Sequence, residues 1–207
     1  MIKRIIFDID DTLITFPKEF EEGYNNVLKK YNLNIDPIEL YKIIGEYEVS
    51  GKYKYYDVDK LLDLINERLS INLGKEFVND FFDMYNKLIT PVSSDLIDTL
   101  KYLSDKYELV TLSNWFTDSQ KERLKCAGIL KYFDEVYGTD IVPMKPNKES
   151  FMSVVGDHNI DECIMIGDNF DVDIKVPIEI GMNVYYLTNK ETGYPNIKSI
   201  SDLKELL

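Results

Sequence analysis

The sequence predicts an α/β protein with a doubly wound, mainly parallel sheet, which a block of helices interrupts after the first strand. Short β-branched and aromatic runs alternate with helical patterns over most of the chain, and this alternation implies right-handed crossovers between parallel strands. Residues 18–89 contain helical patterns only. We therefore expect residues 1–16 and 90–207 to form an α/β core and residues 17–89 to form a helical domain.

Five segments are typical of buried strands because each is short, apolar and bounded by polar or turn residues. In chain order they are KRIIFDID, YELVTLSN, FDEVYGT, ECIMIGD and MNVYYLT. Helical patterns separate the later segments, namely DLIDTLKYLSDK, TDSQKERLKCAG, KESFMSVVGD and VDIKVPIEIG. Each pattern can serve as a crossover on one face of the sheet.

The helical block contains four patterns of its own. Apolar residues recur at helical spacing in FEEGYNNVLKKY, LLDLINERLSINL and FVNDFFDMYNKLI. A further helix is expected to begin at Asp36-Pro37, where an N-cap residue precedes a proline at the first helical position. Four helices of this length can bury a common apolar stripe as a small bundle.

The composition narrows the function classes. Hydrophobic residues make up 44% of the chain, enough for a buried core, and the formal net charge is −13. So acidic a surface argues against nucleic acid or an anionic membrane as the main partner. The single histidine, His158, lies in a turn-like GDHN segment. This argues against a catalytic mechanism based on histidine. We see no signal peptide or membrane span, and we expect a cytoplasmic monomer or homodimer.

Chemically active residues follow the predicted strands, on the edge where doubly wound sheets bind ligands. They are Asp8, Asp10, Asp11 and Thr12 after the first strand, Ser113 and Asn114 after the second, Lys145 beyond the third, and Asp168 and Asp173 after the fourth. Carboxylates this close repel one another, and burial makes each more costly unless positive charge compensates. A divalent cation, with a lysine nearby, would hold the acids together.

These motifs together resemble those of the haloacid dehalogenase-like (HAD) hydrolase superfamily. Asp8-Ile9-Asp10-Asp11-Thr12-Leu13 matches its DxDxT motif, and Leu112-Ser113-Asn114 matches the second motif. Lys145-Pro146 matches the third, and the segment from Gly167-Asp168 to Asp173 matches the GDxxxxD form of the fourth. The resemblance covers nearly the whole chain. It implies a Rossmann-like core, and the helical block resembles the family's α-helical C1 cap.

The resemblance also implies roles for the residues after the first strand. Asp8 would be the nucleophile that forms an aspartyl-phosphate, which splits one difficult displacement into two easier ones. Asp10 would act first as general acid and then as general base. Thr12 would tie down the loop through hydrogen bonds from its side chain to the backbone, whereas Asp11 is expected to be a surface or supporting residue.

The later motifs would bind phosphate and metal. The Ser113 hydroxyl and nearby backbone N–H groups would bind phosphoryl oxygens, and Ile9 and Asn114 are expected to be among the substrate-binding residues. Lys145 would neutralise charge. Mg²⁺ would be held by the carboxylates of Asp8 and Asp168 and the backbone carbonyl of Asp10, with Asp173 outside the coordination sphere, because Mg²⁺ favours few protein oxygens plus water.

The expected activity is therefore Mg²⁺-dependent hydrolysis of a small phosphorylated metabolite, such as a sugar phosphate or a nucleotide. A phosphomutase and a 2-haloacid dehalogenase remain open on the same scaffold. By resemblance, dehalogenases lack an aspartate at the position of Asp10, which favours the phosphatase. A non-enzymatic phospho-aspartate regulator of the receiver type is a remote alternative, because receivers lack such a helical insertion and GDxxxxD.

Two departures from the family pattern stand out. Val176-Pro177 follows the fourth motif where small residues are usual, so we expect the helix there to begin late or to kink. Trp115, the only tryptophan, follows Asn114 and either lines the entrance to the site or packs in the interior. Phe16, at the junction, and Phe20, Tyr24 and the tyrosines at 53–56 of the helical block either face the substrate or belong to the core or surface of the bundle.

Overall fold

The structure, a computed structural model, describes residues 1–49 and 53–207. Within these ranges, six parallel strands form one sheet in the order β3-β2-β1-β4-β5-β6. The strands are β1 Arg4–Phe7, β2 Glu108–Leu112, β3 Glu135–Tyr137, β4 Cys163–Gly167, β5 Asn183–Leu187 and β6 Asn196–Ile197. The predicted doubly wound α/β fold is confirmed. The sequence analysis missed β6, because two residues are too few to produce a strand pattern.

The helices follow the predicted order, except that the short C-terminal helix, Leu203–Leu206, was not predicted. Those of the inserted block are α1 Phe20–Lys30, α2 Pro37–Val49, α3 Val58–Leu69 and α4 Lys75–Tyr85, and those of the α/β part are α5 Ser94–Ser104, α6 Thr117–Cys126, α7 Lys148–Ser153, α8 Lys175–Glu179 and α9 Leu203–Leu206. The Asp36 carboxylate accepts from the Ile38 N–H at 2.9 Å, so α2 begins where the sequence predicted. Across the described residues, no helix has the length and apolar character needed to cross a bilayer.

Strand β1 lies in the middle of the sheet, and its alternating side chains belong to two apolar layers. Ile5 and Phe7 pack in one layer with Leu109 and Ile166, whereas Ile6 packs in the other with Met165. All four residues of β1 are buried. A strand covered on both faces explains why Ile5, Ile6 and Phe7 are all apolar instead of alternating with polar residues.

Polar residues at the opposite end of the sheet form an ionic cluster away from the strand ends that carry the motifs. Arg4 donates to Glu108 at 2.5 Å and to the Val154 carbonyl at 2.7 Å. Nε2 of His158 lies 2.7 Å from Glu108 Oε2, so this histidine is half-buried and in contact with a carboxylate, and it is not an exposed turn residue. Its engagement with Glu108 agrees with a mechanism that does not use histidine.

The inserted helices form a third apolar cluster, which includes Tyr24, Leu28, Phe77 and Phe81. Trp115 joins it from the α/β part, is 1% exposed, and has its ring centroid 4.9 Å from that of Tyr85. Trp115 therefore packs the insert against the α/β part and does not line an entrance.

The two junctions of the insert lie side by side, because the Thr90 N–H donates to the Thr15 carbonyl at 2.8 Å. This contact agrees with the boundaries expected for the two domains, which stay a prediction. After β4, a π-helical turn, Phe170–Ile174, precedes α8. Pro177 then falls in the first turn of α8, where a missing N–H costs little.

Candidate active site

Residues from all four predicted motifs line one cavity of about 260 Å³ at the carboxyl ends of the strands. Its walls contain Asp8, Asp10, Asp11, Glu48, Ser113, Asn114, Lys145, Asp168, Asn169, Val172 and Asp173. Of the site residues expected from the sequence, Ile9 and Thr12 are not in this lining. The Ile9 side chain is fully buried. The Thr12 hydroxyl donates to the Asp168 side chain, with 3.4 Å between Oγ1 and Oδ1, and not to the loop backbone as the sequence predicted, so it links the first motif to the fourth.

Asp8 is held at the centre of the cavity. Its backbone N–H donates to the Ile166 carbonyl at 2.8 Å, which extends the pairing of β1 with β4 by one residue. Lys145 Nζ donates to Asp8 Oδ1 at 2.6 Å and to Asp173 Oδ1 at 2.7 Å. Burial raises the pKa of Asp8 above its ordinary value, and the positive charge of Lys145 opposes that shift.

Lys145 is 2% exposed and is positioned through its backbone. Its N–H donates to Asn114 Oδ1 at 2.8 Å, and its carbonyl accepts from Asn114 Nδ2 at 2.9 Å. Burial lowers the pKa of Lys145, but the charges of Asp173 and Asp8 outweigh burial and hold the pKa above its ordinary value. The lysine is therefore a fixed cation, and the Asn114 side chain positions it, which leaves only the Asn114 backbone free to bind phosphate.

The loop after β1 turns sharply beside the cavity. Asp11 has a φ of +59°, a left-handed conformation that aspartate tolerates better than most residues. The Asp11 N–H donates to the Ile14 carbonyl at 2.8 Å, and the Leu13 N–H donates to the Ile9 carbonyl at 2.9 Å. These bonds fix the turn, so the carboxylates of Asp8 and Asp10 reach the same cavity.

Helix α6 supplies two partners of Asp10 that the sequence analysis missed. Gln120 Nε2 lies 2.7 Å from both Asp10 Oδ2 and Ser113 Oγ. Arg123 forms an ion pair with the other oxygen of Asp10. Arg123 is fully buried, and its guanidinium carbon lies 4.8 Å from the ring centroids of Phe16 and Tyr85. Asp10 is thus held by a rigid helix and not left free in its loop.

Glu48 on α2 is the second residue that the sequence analysis missed, and it brings the insert into the site. It is half-buried and lines the cavity opposite Asp8 and Asp10. Burial raises its pKa to about 8, Asp10 and Asp8 add to the shift, and Arg123 opposes it. No sequence signal distinguishes this glutamate from the solvated ones of the same helix.

The acidic residues suit a small divalent cation. Carboxylate oxygens of Asp8, Asp168 and Asp173 lie within 4.8 Å of one another. Asp173 has both oxygens engaged, since Oδ2 accepts from the Asn169 N–H at 3.1 Å and Oδ1 accepts from Lys145. Asp8 and Asp168 keep oxygens free for a metal, and a hard oxygen set with few protein ligands fits Mg²⁺.

Asp168 and Gly167 show how the fourth motif serves this arrangement. Burial, together with the charges of Asp173 and Asp11, raises the pKa of Asp168 to about 6. A Cβ atom at Gly167 would lie 2.5 Å from the carboxyl carbon of Asp173. Only glycine therefore lets Asp173 approach the end of β4 closely enough to reach Lys145.

Residues 2–181 match the family model of the haloacid dehalogenase-like hydrolases. The match spans most of the chain and includes all four motifs. The chain belongs to the haloacid dehalogenase-like hydrolase family, and it is a hydrolase.

Characterised relatives and solved structures extend the comparison over the full length. The glyceraldehyde 3-phosphate phosphatase of Methanothermobacter thermautotrophicus is 29% identical over 230 aligned positions, which cover 100% of both chains. The pyrimidine 5′-nucleotidase of Streptococcus pneumoniae is 24% identical and covers 99% of this chain and 94% of its own. The HAD-hydrolase YfnB of Bacillus subtilis, solved with bound magnesium, has a TM-score of 0.76 at 18% identity and covers 100% of this chain and 98% of its own.

Proposed function

We propose that the protein is a Mg²⁺-dependent phosphatase that hydrolyses a small phosphorylated metabolite, a sugar phosphate or a nucleotide, through an aspartyl-phosphate on Asp8. The observation that carries this proposal is the buried Asp8 carboxylate at the end of β1, bonded to Lys145 and facing Asp168. Asp10 lines the same cavity, where it can exchange a proton with a leaving group.

In the first half-reaction, an Asp8 oxygen forms a bond to phosphorus while the bond from phosphorus to the leaving oxygen breaks. Asp10 donates a proton to that oxygen, which leaves as an alcohol. The ammonium of Lys145 and the hydroxyl of Ser113 stabilise charge on the phosphoryl oxygens. Gln120 and Arg123 keep the Asp10 carboxyl on the leaving-group side, since both bind it from helix α6.

In the second half-reaction, Asp10 accepts a proton from water, whose oxygen attacks phosphorus and releases Asp8. The carboxylates of Asp8 and Asp168 and the backbone carbonyl of Asp10 would hold Mg²⁺, with Asp173 hydrogen-bonded outside them. The ion supplies positive charge next to the phosphoryl group. The insert, in the role of a cap, would exclude water from the first step.

Asp10 favours hydrolysis of phosphate over dehalogenation, because displacing halide from carbon needs no proton donor at this position. A phosphomutase would return the phosphoryl group to a sugar. The proposal is tested by a phosphate-release screen over many phosphorylated metabolites, with and without Mg²⁺. We expect Mg²⁺-dependent release of inorganic phosphate from a subset of monoesters, whereas an isomeric sugar phosphate as the only product would establish the mutase. A cytoplasmic location and a monomeric or homodimeric state stay predictions.

Replacing Asp10 by asparagine should slow both half-reactions. The loss should be smaller for p-nitrophenyl phosphate than for an alkyl phosphate, because nitrophenolate leaves without a proton. Since water attack still needs a base, phosphoenzyme should accumulate with this substrate. Acid quenching with labelled substrate measures that accumulation. Equal losses for both leaving groups, without trapped label, would reduce Asp10 to a residue that only shapes the loop.

Mg²⁺ should raise the melting temperature of the wild-type protein, because it binds the folded acid cluster and not the unfolded chain. The rise should disappear in Asp168→Asn and persist in Asp171→Asn, a control at an exposed position of the same motif. It should be smaller at pH 6 than at pH 8, because protons compete for Asp168, whose pKa is about 6. Melting curves that do not change with millimolar Mg²⁺ would argue against the metal site.

A further inference from the structure

A second cavity, of about 230 Å³, shares Asp10, Asp11 and Glu48 with the candidate active site. Its other walls include Phe16, Tyr24, Tyr41, Lys42 and Tyr85. Because the leaving oxygen of a substrate must reach Asp10, the remainder of the leaving group has to lie on the Asp10 side of the phosphate. This aromatic cavity is the space that the fold provides there.

The walls of the aromatic cavity indicate what it can bind. Tyr24 and Tyr85 are at most 5% exposed, and the centroids of the Phe16 and Tyr85 rings are 5.4 Å apart. Ring faces of this kind pack against the apolar faces of sugars and of nucleobases. Glu48 can bind a hydroxyl group next to them. A cavity below the usual range of ligand pockets favours a compact leaving group.

The charge of the aromatic cavity is one-sided. Three acids, Asp10, Asp11 and Glu48, line it together with one lysine, Lys42, which is exposed to solvent. Arg123 is fully buried and paired with Asp10, so its positive charge offsets part of this negative charge, but Asp11 and Glu48 still outnumber the single lysine. Burial and the charge of Asp10 already disfavour the ionised form of Glu48, since they raise its pKa to about 8. They should disfavour an anionic group of a ligand beside Glu48 for the same reasons.

We propose that the aromatic cavity is the leaving-group pocket, that it takes a compact, uncharged, hydroxylated leaving group, and that Glu48 rejects leaving groups that carry a carboxylate or a second phosphate. This inference rests on the proposed phosphatase function and adds a substrate class to it. It favours esters of neutral polyols, sugars or nucleosides over phosphorylated acids and pyrophosphate. The selection is a repulsive one, in which specificity arises from the acids that a wrong ligand would have to approach.

Matched substrates that differ by one carboxylate test the inference. The pairs are glycerol 3-phosphate with 3-phosphoglycerate, and uridine 5′-monophosphate with orotidine 5′-monophosphate. In each pair, the selectivity is the kcat/KM of the neutral member divided by that of the acidic one, measured at pH 8.5, where most of Glu48 is ionised. For at least one pair, we expect a wild-type selectivity of about 30-fold or more, which falls at least about fivefold in Glu48→Gln.

Glu39→Gln is the matched control, since Glu39 lies on the same helix, is exposed and does not line either cavity. It removes the same charge and should leave the selectivity unchanged. In Glu48→Gln, the fall should come mainly from faster hydrolysis of the acidic member, which general damage to the site would not produce.

Hydrolysis of p-nitrophenyl phosphate separates this inference from the proposed function. If wild-type protein cleaves it and Asp8→Asn does not, the phosphatase stands, and the matched pairs then decide the pocket. Equal rates for the two members of each pair, a selectivity that Glu48→Gln does not change, or no cleavage of any of the four esters would overturn the leaving-group class alone. No phosphate release from any ester would overturn both proposals.

Discussion

The Asp8→Asn variant is expected to lose all measurable turnover while it keeps its fold. An amide cannot form the acyl-phosphate, so no alternative route through this residue remains. The substitution also removes one of several crowded carboxylates, and Lys145 keeps its bond to Asp173 at 2.7 Å, so the folded state should not be weakened. The measurement is phosphate release from the best substrate of the screen, together with a melting curve.

Asp171→Asn is a suitable control for Asp8→Asn. Asp171 lies in the fourth motif, is exposed and lines neither cavity. The same change of charge should leave most of the activity in place there. Retention of more than about 1% of wild-type activity in Asp8→Asn would contradict the assignment of Asp8 as nucleophile, because an enzyme that works through a covalent intermediate should not keep that much activity without its nucleophile.

Lys145→Met should cause the second largest effect, on both activity and stability. Removing the ammonium leaves the buried carboxylates of Asp8 and Asp173 without their shared partner, and breaking a buried ion pair in this way costs about 3–5 kcal/mol. The loss of positive charge beside the phosphoryl group should lower kcat by about 10²–10³-fold. Urea unfolding of the metal-free protein and steady-state kinetics with Mg²⁺ measure the two effects separately.

The pH dependence gives Lys145→Met a sharper signature. Burial raises the pKa of Asp8, and without Lys145 nothing opposes that shift, so the carboxyl takes up a proton more readily in the folded state. The stability lost in the variant should therefore be smaller at pH 5 than at pH 8. Lys148→Met, at an exposed position of α7, should show neither the loss nor its pH dependence. Equal unfolding free energies for the two variants would contradict the buried role of Lys145.

Sequence patterns predicted the α/β class and the meeting of the four motifs because both depend on local features. Buried strands contain apolar runs, such as residues 5–7 of β1, and parallel strands bring their carboxyl ends to one edge of a sheet. The position of Trp115 depended instead on how the insert packs against the α/β part. Its side chain donates from Nε1 to Ser119 Oγ at 2.9 Å inside that contact, and no local pattern specifies such a partner.

The partners of Asp10 escaped prediction for a related reason. Gln120 and Arg123 lie one turn apart on α6, in a polar helix whose composition is that of a solvated surface. The rings of Phe16 and Tyr85 pack against the buried Arg123 guanidinium, and both belong to chain segments far from it in sequence. Glu48 likewise reaches the site only through the docking of α2. Side chains that act across the contact between the insert and the α/β part need the tertiary structure to be recognised.

The measurement that tests the central claim most directly is the location of a trapped phosphoryl group. Protein mixed with a hydrolysable phosphate ester and Mg²⁺ is quenched in acid, digested and analysed by mass spectrometry, with Asp10→Asn used to slow the second half-reaction. We predict one phosphoryl group on the peptide that contains Asp8, and none on that peptide in Asp8→Asn. Turnover of the ester without a phosphorylated peptide, or with the phosphoryl group on another residue, would contradict an aspartyl-phosphate mechanism at Asp8.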